Sequence, residues 1–316
     1  MATVFVSGTL LGDAVQRLRA AHDVVQDDGG IGSEAFGAVA DRVEAIVALL
    51  TDRIDDTLLA RCPRLRVVAN VAVGVDNVDL AACAARGVII TNTPDVLTES
   101  TADLAFGLLL SAARRIAEGD RYIRSGSWKG WTPTFFLGRR VHGITLGLVG
   151  MGRIGGAMAR RARGFGMHVF YSQRRRLPEG LERALGATWV ASLDELVAEV
   201  DAISIHCPLT TETRHLFDAG RLAKMRPGSI LVNTARGAIV DEAALAHALA
   251  NGPLAAAGLD VFEAEPNVLP ALAACENAVL APHIGSADRP TREAMAGLAT
   301  DNVLAVLAGR IPLTPV

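Results

Sequence analysis

The stretch Leu146-Gly-Leu-Val-Gly150-Met-Gly152-Arg-Ile-Gly155 decides the fold prediction for this chain. A short apolar strand runs into the pattern G-x-G-x-x-G, and a helix-like segment follows. Gly150 permits a tight turn, Gly152 lets a backbone approach a phosphate, and Gly155 lets the helix pack against the strand. Amides at the start of such a helix favour a bound anion. The stretch therefore predicts a βαβ unit that binds the pyrophosphate of a dinucleotide.

Outward from this stretch, short apolar runs alternate with helix-like segments, which predicts parallel sheets with helical crossovers. The expected strands are Val4–Val6, Ala45–Leu50, Leu65–Ala69, Val88–Thr91, Thr145–Val149, His168–Tyr171, Thr188–Val190, Ala202–His206, Ile230–Asn233, Gly258–Val261 and Ala278–Leu280. The expected helices are Ala14–Ala21, Leu80–Ala85, Ser100–Arg115, Ile154–Arg163, Leu193–Ala198, Glu242–Ala250 and Thr291–Leu307.

The length of the chain, 316 residues, exceeds what one ordinary core accommodates and suits two domains. We predict an α/β fold of two doubly wound parallel-sheet domains, one Rossmann-type and one flavodoxin-like, with a cleft between them. The last helix is too isolated to form a domain and is expected to return to the first one. The flavodoxin-like substrate-binding domain is therefore predicted as residues 1–97 plus 287–316, and the dinucleotide-binding domain as residues 98–286.

Composition narrows the class of protein. The formal net charge of −3 gives no basic field for nucleic acid or an anionic membrane. The longest apolar stretch is about half of a membrane span, and the N-terminus lacks the pattern of a signal peptide. The four cysteines fit neither a zinc site nor a disulfide framework, so we expect reduced thiols, no metal and a cytoplasmic location.

The end of the strand after the glycine motif indicates which cofactor is preferred. An acidic residue there would bind the ribose 2′-hydroxyl of NAD. The chain instead reads Tyr171-Ser-Gln-Arg-Arg-Arg176, with no Asp or Glu anywhere between Arg121 and Pro178. Ser172 and the three arginines would bind and neutralise a 2′-phosphate. We predict a preference for NADP(H), with NAD(H) possible; the alternative is a solvated basic turn.

Three later segments each place a polar residue after a predicted strand, and they supply Arg236, Glu265 and His283. An arginine fork grips a carboxylate and a neighbouring carbonyl oxygen, and a histidine donates a proton near neutral pH. A glutamate beside the histidine orients its ring and favours its charged form. Together they match the reduction of a 2-keto acid. Taken singly, they also suit a surface ion pair, a structural histidine and, like Glu263, an exposed loop acid.

Several segments resemble the D-isomer-specific 2-hydroxyacid dehydrogenase family, and the likeness covers nearly the whole chain. They are GLVGMGRIG at 147–155, CPLTTETRHLF at 207–217, RPGSILVNTARGAIVDEAAL at 226–245, AGLDVFEAEP at 257–266 and APHIGSA at 281–287. Within the family, VAVGVDNVD at 71–79 and FYSQRRR at 170–176 are most similar to glyoxylate/hydroxypyruvate reductases. The resemblance assigns substrate orientation to Arg236 and proton relay to the pair Glu265 and His283.

The resemblance also implies the remaining contacts. Implied substrate contacts, besides Arg236 and His283, are Leu50 in an apolar wall, the loop amides near Val73 and Gly74, and Trp131 approaching the partner's site in a homodimer. Implied cofactor contacts are Val73, Thr101, Gly150, Gly152, Arg153, Ile154, Gly155, Ser172, Gln173, Arg174, Arg175, Cys207, Pro208, Thr213, Thr234, Ala235, Arg236, Asp260, His283 and Gly285. The aromatic segment Trp128–Phe136 is either a loop packed within the monomer or a subunit-contact arm.

The sequence thus predicts an NADPH-linked reductase of glyoxylate or hydroxypyruvate. One alternative is a related dehydrogenase for another substrate, such as phosphite or a bulkier 2-keto acid. The other, from a different class, is a non-catalytic nucleotide-sensing binding protein on the same fold. Glu265 is an acid where formate dehydrogenases pair a glutamine with their histidine, which disfavours formate. The loop that begins at Asn267 is shorter and less polar than in many relatives.

Overall fold

The computed structural model describes all 316 residues and divides into two compact units. Unit 1 comprises Met1–Leu97 and Ser286–Val316, and unit 2 comprises Thr98–Gly285. The second division thus falls one residue before the position expected from sequence. Both units are α/β with one parallel sheet each, which confirms the predicted fold class.

The strands are β1 Thr3–Ser7, β2 Asp23–Asp27, β3 Val43–Ala48, β4 Val67–Asn70, β5 Ile89–Thr91, β6 Thr145–Val149, β7 His168–Ser172, β8 Ala187–Trp189, β9 Ala202–Ile205, β10 Ile230–Asn233, β11 Ala256–Leu259 and β12 Ala278–Leu280. The α-helices are α1 Ala14–Arg19, α2 Glu34–Gly37, α3 Asp56–Arg61, α4 Leu80–Ala85, α5 Thr98–Arg114, α6 Ile116–Arg124, α7 Arg153–Gly164, α8 Glu179–Leu185, α9 Leu193–Glu199, α10 Ala219–Lys224, α11 Glu242–Asn251, α12 Pro270–Ala273 and α13 Arg289–Leu307. No helix combines the length and the apolar character that crossing a membrane requires.

The sheet of unit 1 has the order β2-β1-β3-β4-β5, which is the flavodoxin-like order. Its core contains Phe5, Phe36 and Ile46, and all three are fully buried. Helix α13 returns to this unit, as expected, and packs on β3, β4 and α1. The edge strand β2 was not predicted, because its sequence Asp23-Val-Val-Gln-Asp27 carries acids at both ends and is only partly buried.

The sheet of unit 2 has the order β12-β11-β10-β9-β6-β7-β8. The six strands from β8 to β11 have the Rossmann order, and β12 is one further strand at the edge. Apolar clusters cover both faces, as a parallel sheet requires. Strands β7 and β9 pair with opposite edges of β6, so the strand order reverses there. Open α/β sheets bind ligands at such a point, outside the carboxyl ends of the strands.

Short polar side chains determine where many helices begin. In each case the side chain accepts a hydrogen bond from a backbone amide in the first turn, which a helix alone leaves unpaired. These N-cap residues are Ser33, Asp55, Asp79, Ser192, Asp218, Asp241 and Asp288. The predicted helix that was to end at Arg115 ends at Arg114 instead. Arg115 adopts a left-handed conformation and α6 then starts in a new direction.

Candidate active site

The glycine turn between β6 and α7 is built by close backbone contacts. Gly150 has a φ of 93°, and a Cβ atom there would lie 2.8 Å from the amide nitrogen of Cys207. A Cβ on Gly155 would lie 2.2 Å from the carbonyl oxygen of Gly150. No atom lies within 4 Å of the corresponding point at Gly152. The turn therefore packs tightly on one side and is open at Gly152, where α7 begins with Arg153 and Ile154. The first amides of a helix have no acceptor within the helix itself, which suits a bound anion.

The end of β7 brings Ser172 and Gln173 next to this turn. The Gln173 carboxamide accepts a hydrogen bond from the Met151 amide at 2.9 Å and donates one to the Arg175 carbonyl at 2.6 Å. The side chains of Arg174 and Arg175 are exposed, and neither lies within ion-pairing distance of a carboxylate. Two guanidinium groups thus remain at the end of β7 for an anionic ligand.

Arg176 differs from the other two arginines, and the three-arginine prediction needs correction here. Its Nε and Nη2 donate to the two carboxylate oxygens of Glu182 at 2.9 and 2.7 Å. Together with the Tyr171 hydroxyl, this lowers the pKa of Glu182 to about 2. Glu182 lies beyond the acid-free stretch in sequence, but α8 folds it back beneath the arginine. Arg176 is therefore part of a structural ion pair.

The turn after β9 carries Cys207, Pro208 and Thr213. The Thr213 hydroxyl donates to the Pro208 carbonyl at 2.7 Å and accepts from the Thr210 amide at 2.7 Å, so it shapes its own turn. Burial raises the pKa of Cys207 to about 11, which keeps the thiol protonated. Burial also lowers the pKa of His206 to about 4, so that imidazole is neutral at ordinary pH and is no proton donor.

Arg236 lies three residues after the end of β10, at the start of a 3-10 turn formed by Gly237–Ile239. Asn233, the last residue of β10, sets this loop. Its carboxamide donates to the Arg236 carbonyl at 2.8 Å and accepts from the Ala235 amide at 3.0 Å. Sequence reasoning did not assign Asn233 a role, although an asparagine that ends a buried strand is typical of such loop bonds. The Thr234 hydroxyl beside it is buried and has no hydrogen-bond partner.

Gly237 joins the Arg236 loop to the loop after β11. A Cβ atom on Gly237 would lie 1.9 Å from the carbonyl carbon of Phe262 and 2.4 Å from the amide nitrogen of Glu263. Any side chain would push the two backbones apart. Only glycine therefore allows Arg236 to lie beside the segment that carries Glu265.

Glu265 and His283 form a direct pair. The His283 Nδ1 and the Glu265 Oε2 are 2.7 Å apart, and the Glu265 Oε1 accepts from the Phe262 amide at 2.9 Å. Burial favours the neutral form of the Glu265 carboxyl. The hydrogen bonds from His283 and Phe262 and the charges of His283 and Arg236 outweigh it, so the pKa of Glu265 lies below its ordinary value. The three predicted residues thus converge at the ends of the adjacent strands β10, β11 and β12.

Asp260 fixes the loop that carries His283. Its side chain is fully buried, and its two oxygens accept the amides of Ile284 at 2.7 Å and Gly285 at 2.8 Å. Burial raises the pKa of Asp260 even though these amides oppose the change. His283 itself has a φ of 53°, a conformation that non-glycine residues rarely adopt. The buried side chain of Thr101 lies close to Gly285.

A second histidine–glutamate pair lies close by, and the sequence did not reveal it. The His215 Nε2 and the Glu263 Oε2 are 2.9 Å apart, and the Arg214 Nη2 is 3.8 Å from the same oxygen. Glu263 is therefore not the exposed loop acid that was the alternative interpretation of this residue. Its partner is 48 positions away, and no local pattern in the chain marks the pairing.

The remaining predicted substrate contacts lie elsewhere in the structure. In unit 1, Leu50 follows β3 and is 40% exposed, while Val73 and Gly74 lie in the loop after β4. In unit 2, Trp131 is 75% exposed within the irregular segment that follows α6. The rings of Phe135 and Phe136 at the end of that segment pack against Tyr122 at centroid distances of 5.7 and 5.6 Å. One end of the aromatic segment is packed and the other is exposed.

The chain resembles known proteins in both sequence and architecture. The family described as D-isomer specific 2-hydroxyacid dehydrogenase, NAD binding domain, matches residues 106–285. A glyoxylate reductase from Thermococcus litoralis is 51% identical over 274 residues, which are 85% of this chain and 82% of that protein. A solved structure from Thermus thermophilus superimposes with a TM-score of 0.92 at 47% identity, over 99% of both chains.

A third similar protein was solved with ligands. It is an NADPH-dependent glyoxylate/hydroxypyruvate reductase from Sinorhizobium meliloti in complex with NADP and malonate. The TM-score is 0.90 at 38% identity, over 100% of this chain and 96% of that one. With the Rossmann strand order and the glycine turn of unit 2, these matches confirm the predicted family and enzyme class. The chain belongs to the D-isomer-specific 2-hydroxyacid dehydrogenase family and is an oxidoreductase that uses a nicotinamide cofactor.

Proposed function

We propose that this enzyme reduces a small 2-keto acid, glyoxylate or hydroxypyruvate, to the 2-hydroxy acid with NADPH. The observation that supports this most strongly is the 2.7 Å pair between His283 and Glu265, with Arg236 on the neighbouring loop. Such a set offers a proton donor, its orienting carboxylate and a fork for a carboxylate substrate. Two relatives named glyoxylate reductase, which are 51% and 49% identical to this chain, support the choice of substrate.

The hydrogen bond between His283 and Glu265 determines which nitrogen of the imidazole can donate a proton to the substrate. Since Glu265 holds the Nδ1 of His283, the Nε2 of that ring is the nitrogen that can donate a proton to the substrate oxygen. Arg236 binds the carboxylate and polarises the adjacent carbonyl. A nicotinamide cofactor, held by the glycine turn and the end of β7, would supply the hydride for the carbonyl carbon. Proton and hydride together would convert the keto group into a hydroxyl, and the lowered pKa of Glu265 favours the ionised carboxylate beside His283.

The cofactor would be held by the open glycine turn and the end of β7. Gly152 leaves room for a pyrophosphate at the start of α7, and the unpartnered Thr234 hydroxyl supplies a further polar group. The exposed guanidinium groups of Arg174 and Arg175 are the proposed site of the 2′-phosphate. The NADPH-dependent relative from Sinorhizobium meliloti supports this preference.

We also propose a homodimer formed around α6 and the aromatic segment. Helix α6 has no buried residue, and its Ile116 and Ile123 are 57% and 54% exposed. Trp128 and Trp131 add exposed aromatic surface directly after it, and such residues are enriched at interface cores. Sedimentation velocity tests this, because the variant Ile123→Glu should be more monomeric than the wild type. The cytoplasmic location stays a prediction.

Steady-state kinetics test the activity. Initial rates with NADPH and with NADH against glyoxylate, hydroxypyruvate, pyruvate and a bulkier 2-keto acid should show the highest efficiency for the first two with NADPH. Binding of the cofactor without turnover of any 2-keto acid would replace this proposal with a nucleotide-sensing protein. A clear preference for the bulkier acid would instead favour a related dehydrogenase.

The cofactor preference has its own test. The double variant Arg174→Ala/Arg175→Ala should raise the KM for NADPH about tenfold or more and leave the KM for NADH nearly unchanged, because charge-assisted hydrogen bonds to a phosphate are lost. Arg183→Ala is the matched control, since this exposed arginine pairs with Glu179 on α8. A wild-type enzyme that favours NADH tenfold would refute the 2′-phosphate assignment.

A further inference from the structure

A buried hydrogen-bonded network connects β7 and α8 to the loop between them. We call residues 173–177 of this loop the arginine loop. Tyr171 in β7 is fully buried, and its hydroxyl donates to the Glu182 Oε1 at 2.6 Å. Burial and the bond to Glu182 raise the pKa of Tyr171, so the hydroxyl stays protonated and can donate. Glu182 is also buried and lies on α8, so this bond joins a strand to a helix.

The network holds the second end of the arginine loop. The Tyr171 hydroxyl accepts a hydrogen bond from the Leu177 amide at 2.8 Å. The Arg176 guanidinium donates to both oxygens of Glu182, at 2.9 and 2.7 Å. It also lies 5.8 Å from the ring centroid of Trp189 on β8, within the range of a cation–π contact. Both the backbone and a side chain at this end are therefore held by groups outside the loop.

Gln173 holds the first end of the arginine loop. Its carboxamide accepts the Met151 amide of the glycine turn at 2.9 Å and donates to the Arg175 carbonyl at 2.6 Å. Arg174 and Arg175 thus lie between two fixed points, and their side chains are exposed. The backbone that carries the two free guanidinium groups is held from both sides by bonds that use neither of them.

We infer that Tyr171 and Glu182 are positioning residues that set the cofactor preference, because they hold the arginine loop with its two exposed guanidinium groups ready for a 2′-phosphate. This inference rests on the proposed binding of NADP(H). A loop that is held before the ligand arrives loses less entropy on binding. Tyr171 is uncharged and fully buried, so its hydroxyl can influence phosphate binding only through the structure around it.

Tyr171→Phe is the first test, because it removes only the hydroxyl that serves Leu177 and Glu182. The probes are adenosine 2′,5′-bisphosphate and AMP, which differ only in the 2′-phosphate. Calorimetry should show that the wild type binds the bisphosphate about tenfold or more tighter than AMP. In the variant this ratio should fall about fivefold or more, with the affinity for AMP unchanged. Tyr122→Phe is the control, since it removes a hydroxyl that donates to the Ser127 carbonyl at 3.0 Å, outside this network.

Glu182→Gln separates positioning from simple electrostatics. Electrostatics alone predicts tighter binding of the bisphosphate, since a negative charge is lost and Arg176 is released. Positioning predicts binding that is weaker by about threefold or more, because the amide leaves one acceptor oxygen for the donors of Tyr171 and Arg176. Glu179→Gln is the control for the change of charge, since Glu179 lies on the same helix in an exposed pair with Arg183.

Kinetics with both cofactors show whether the effect is confined to the 2′-phosphate. Both test variants should raise the KM for NADPH and keep kcat and KM with NADH within about twofold of the wild type, whereas a general loss of structure would affect both cofactors. Wild-type nucleotide ratios in both variants, equal losses of affinity for the two nucleotides, or tighter bisphosphate binding by Glu182→Gln would overturn the inference. A wild type without preference for the bisphosphate would contradict the proposed cofactor as well. Loss of keto acid turnover with the nucleotide ratios as expected would contradict the proposed reductase activity alone.

Discussion

Unit 2 contains two histidine–glutamate pairs with similar geometry and different surroundings. The distances are 2.7 Å for His283 with Glu265 and 2.9 Å for His215 with Glu263. Both histidines have left-handed backbone conformations, with φ of 53° and 49°. The two glutamates are separated by one residue on the same loop. The pairs therefore offer the same functional groups within one small region.

The two pairs differ in which ring nitrogen of the histidine has no hydrogen bond to the glutamate. Besides His283, the Glu265 carboxylate accepts a hydrogen bond only from the Phe262 amide of its own loop. His283 pairs with Glu265 through Nδ1, and its outer nitrogen Nε2 is left for a ligand. His215 uses Nε2 and leaves Nδ1, the nitrogen nearest the backbone. Glu263 accepts the Glu242 amide at 3.2 Å, and its own amide donates to the Glu242 carboxylate at 2.7 Å.

This second pair connects three elements. Glu242 is the first residue of α11, and the His215 amide donates to the Ala238 carbonyl in the turn after Arg236. A histidine that is paired with a carboxylate through Nδ1 keeps Nε2 for a ligand, as His283 does, whereas His215 uses Nε2 for its own glutamate. We propose proton transfer for His283 and loop attachment for His215, and five experiments test that distinction.

The largest effect is expected for His283→Ala. Loss of a general acid should lower kcat/KM for glyoxylate by about 10²- to 10⁴-fold. The circular dichroism spectrum should stay that of the wild type, because the side chain is partly exposed and lies in the loop after β12. Turnover close to that of the wild type would remove His283 from the mechanism.

Gly237→Ala disturbs the contact on which both pairs depend. The added methyl group would overlap Phe262 and Glu263, so the loops must separate. Displacement of this kind costs about 10²-fold in activity, and overpacking lowers the free energy of unfolding by about 1–3 kcal/mol. Urea denaturation and steady-state rates measure both effects. An alanine variant with unchanged stability and rate would show that the loops accommodate a side chain.

Glu265→Gln should have a smaller effect on activity. A hydrogen bond to a charged group contributes about 1.5–3 kcal/mol, so we expect kcat/KM to fall about 10- to 100-fold. Glu263→Gln provides the matched comparison two residues away and should change the rate much less. Equal losses in the two variants would erase the functional difference between the pairs.

The pH dependence of stability follows from the same carboxylate. The pKa of Glu265 is lower in the folded protein than its ordinary value, so its contribution is fully present above that value and is lost as the pH falls through the folded-state pKa. The stability difference between wild type and Glu265→Gln should therefore shrink as the pH falls below about 5. A difference that grows on acidification would contradict the assignment.

His215→Asn should have the smallest effect. A partly exposed pair contributes about 0.2–1 kcal/mol to stability, and no substrate atom depends on it in our proposal. We expect kcat/KM within about threefold of the wild type and a slightly lower urea midpoint. A loss comparable to that of His283→Ala would mean that the second histidine also takes part in proton transfer.

Some predictions from sequence succeeded because their signals are local. The glycine turn, the strands around it and the alternation of strands and helices follow from residues within a few positions of one another. The strand ends at Asn233 and Leu280 were predicted correctly, because apolar runs stop there. The strand expected at Ala45–Leu50 ends at Ala48 instead, since Leu49 accepts and donates bonds in the loop with Asp52 and Asn77.

Other features required long-range contacts. Arg176 was grouped with Arg174 and Arg175 by adjacency, but α8 brings Glu182 against it. His215 and Glu263 are 48 positions apart, and the side chains of Asn70 and Asn77 bond to each other and to the loop after β3. In each case the partner is chosen by where a helix or strand ends in space.

By itself, the sequence determined the fold class and the dinucleotide turn, and it selected Arg236, Glu265 and His283 as candidate catalytic residues, because these depend on short-range patterns and on the chemical type of each side chain. Only the tertiary structure decided which nitrogen of each histidine is engaged and which arginine is already paired. Those outcomes depend on hydrogen-bond geometry, and a chain acquires that geometry only when distant segments pack together.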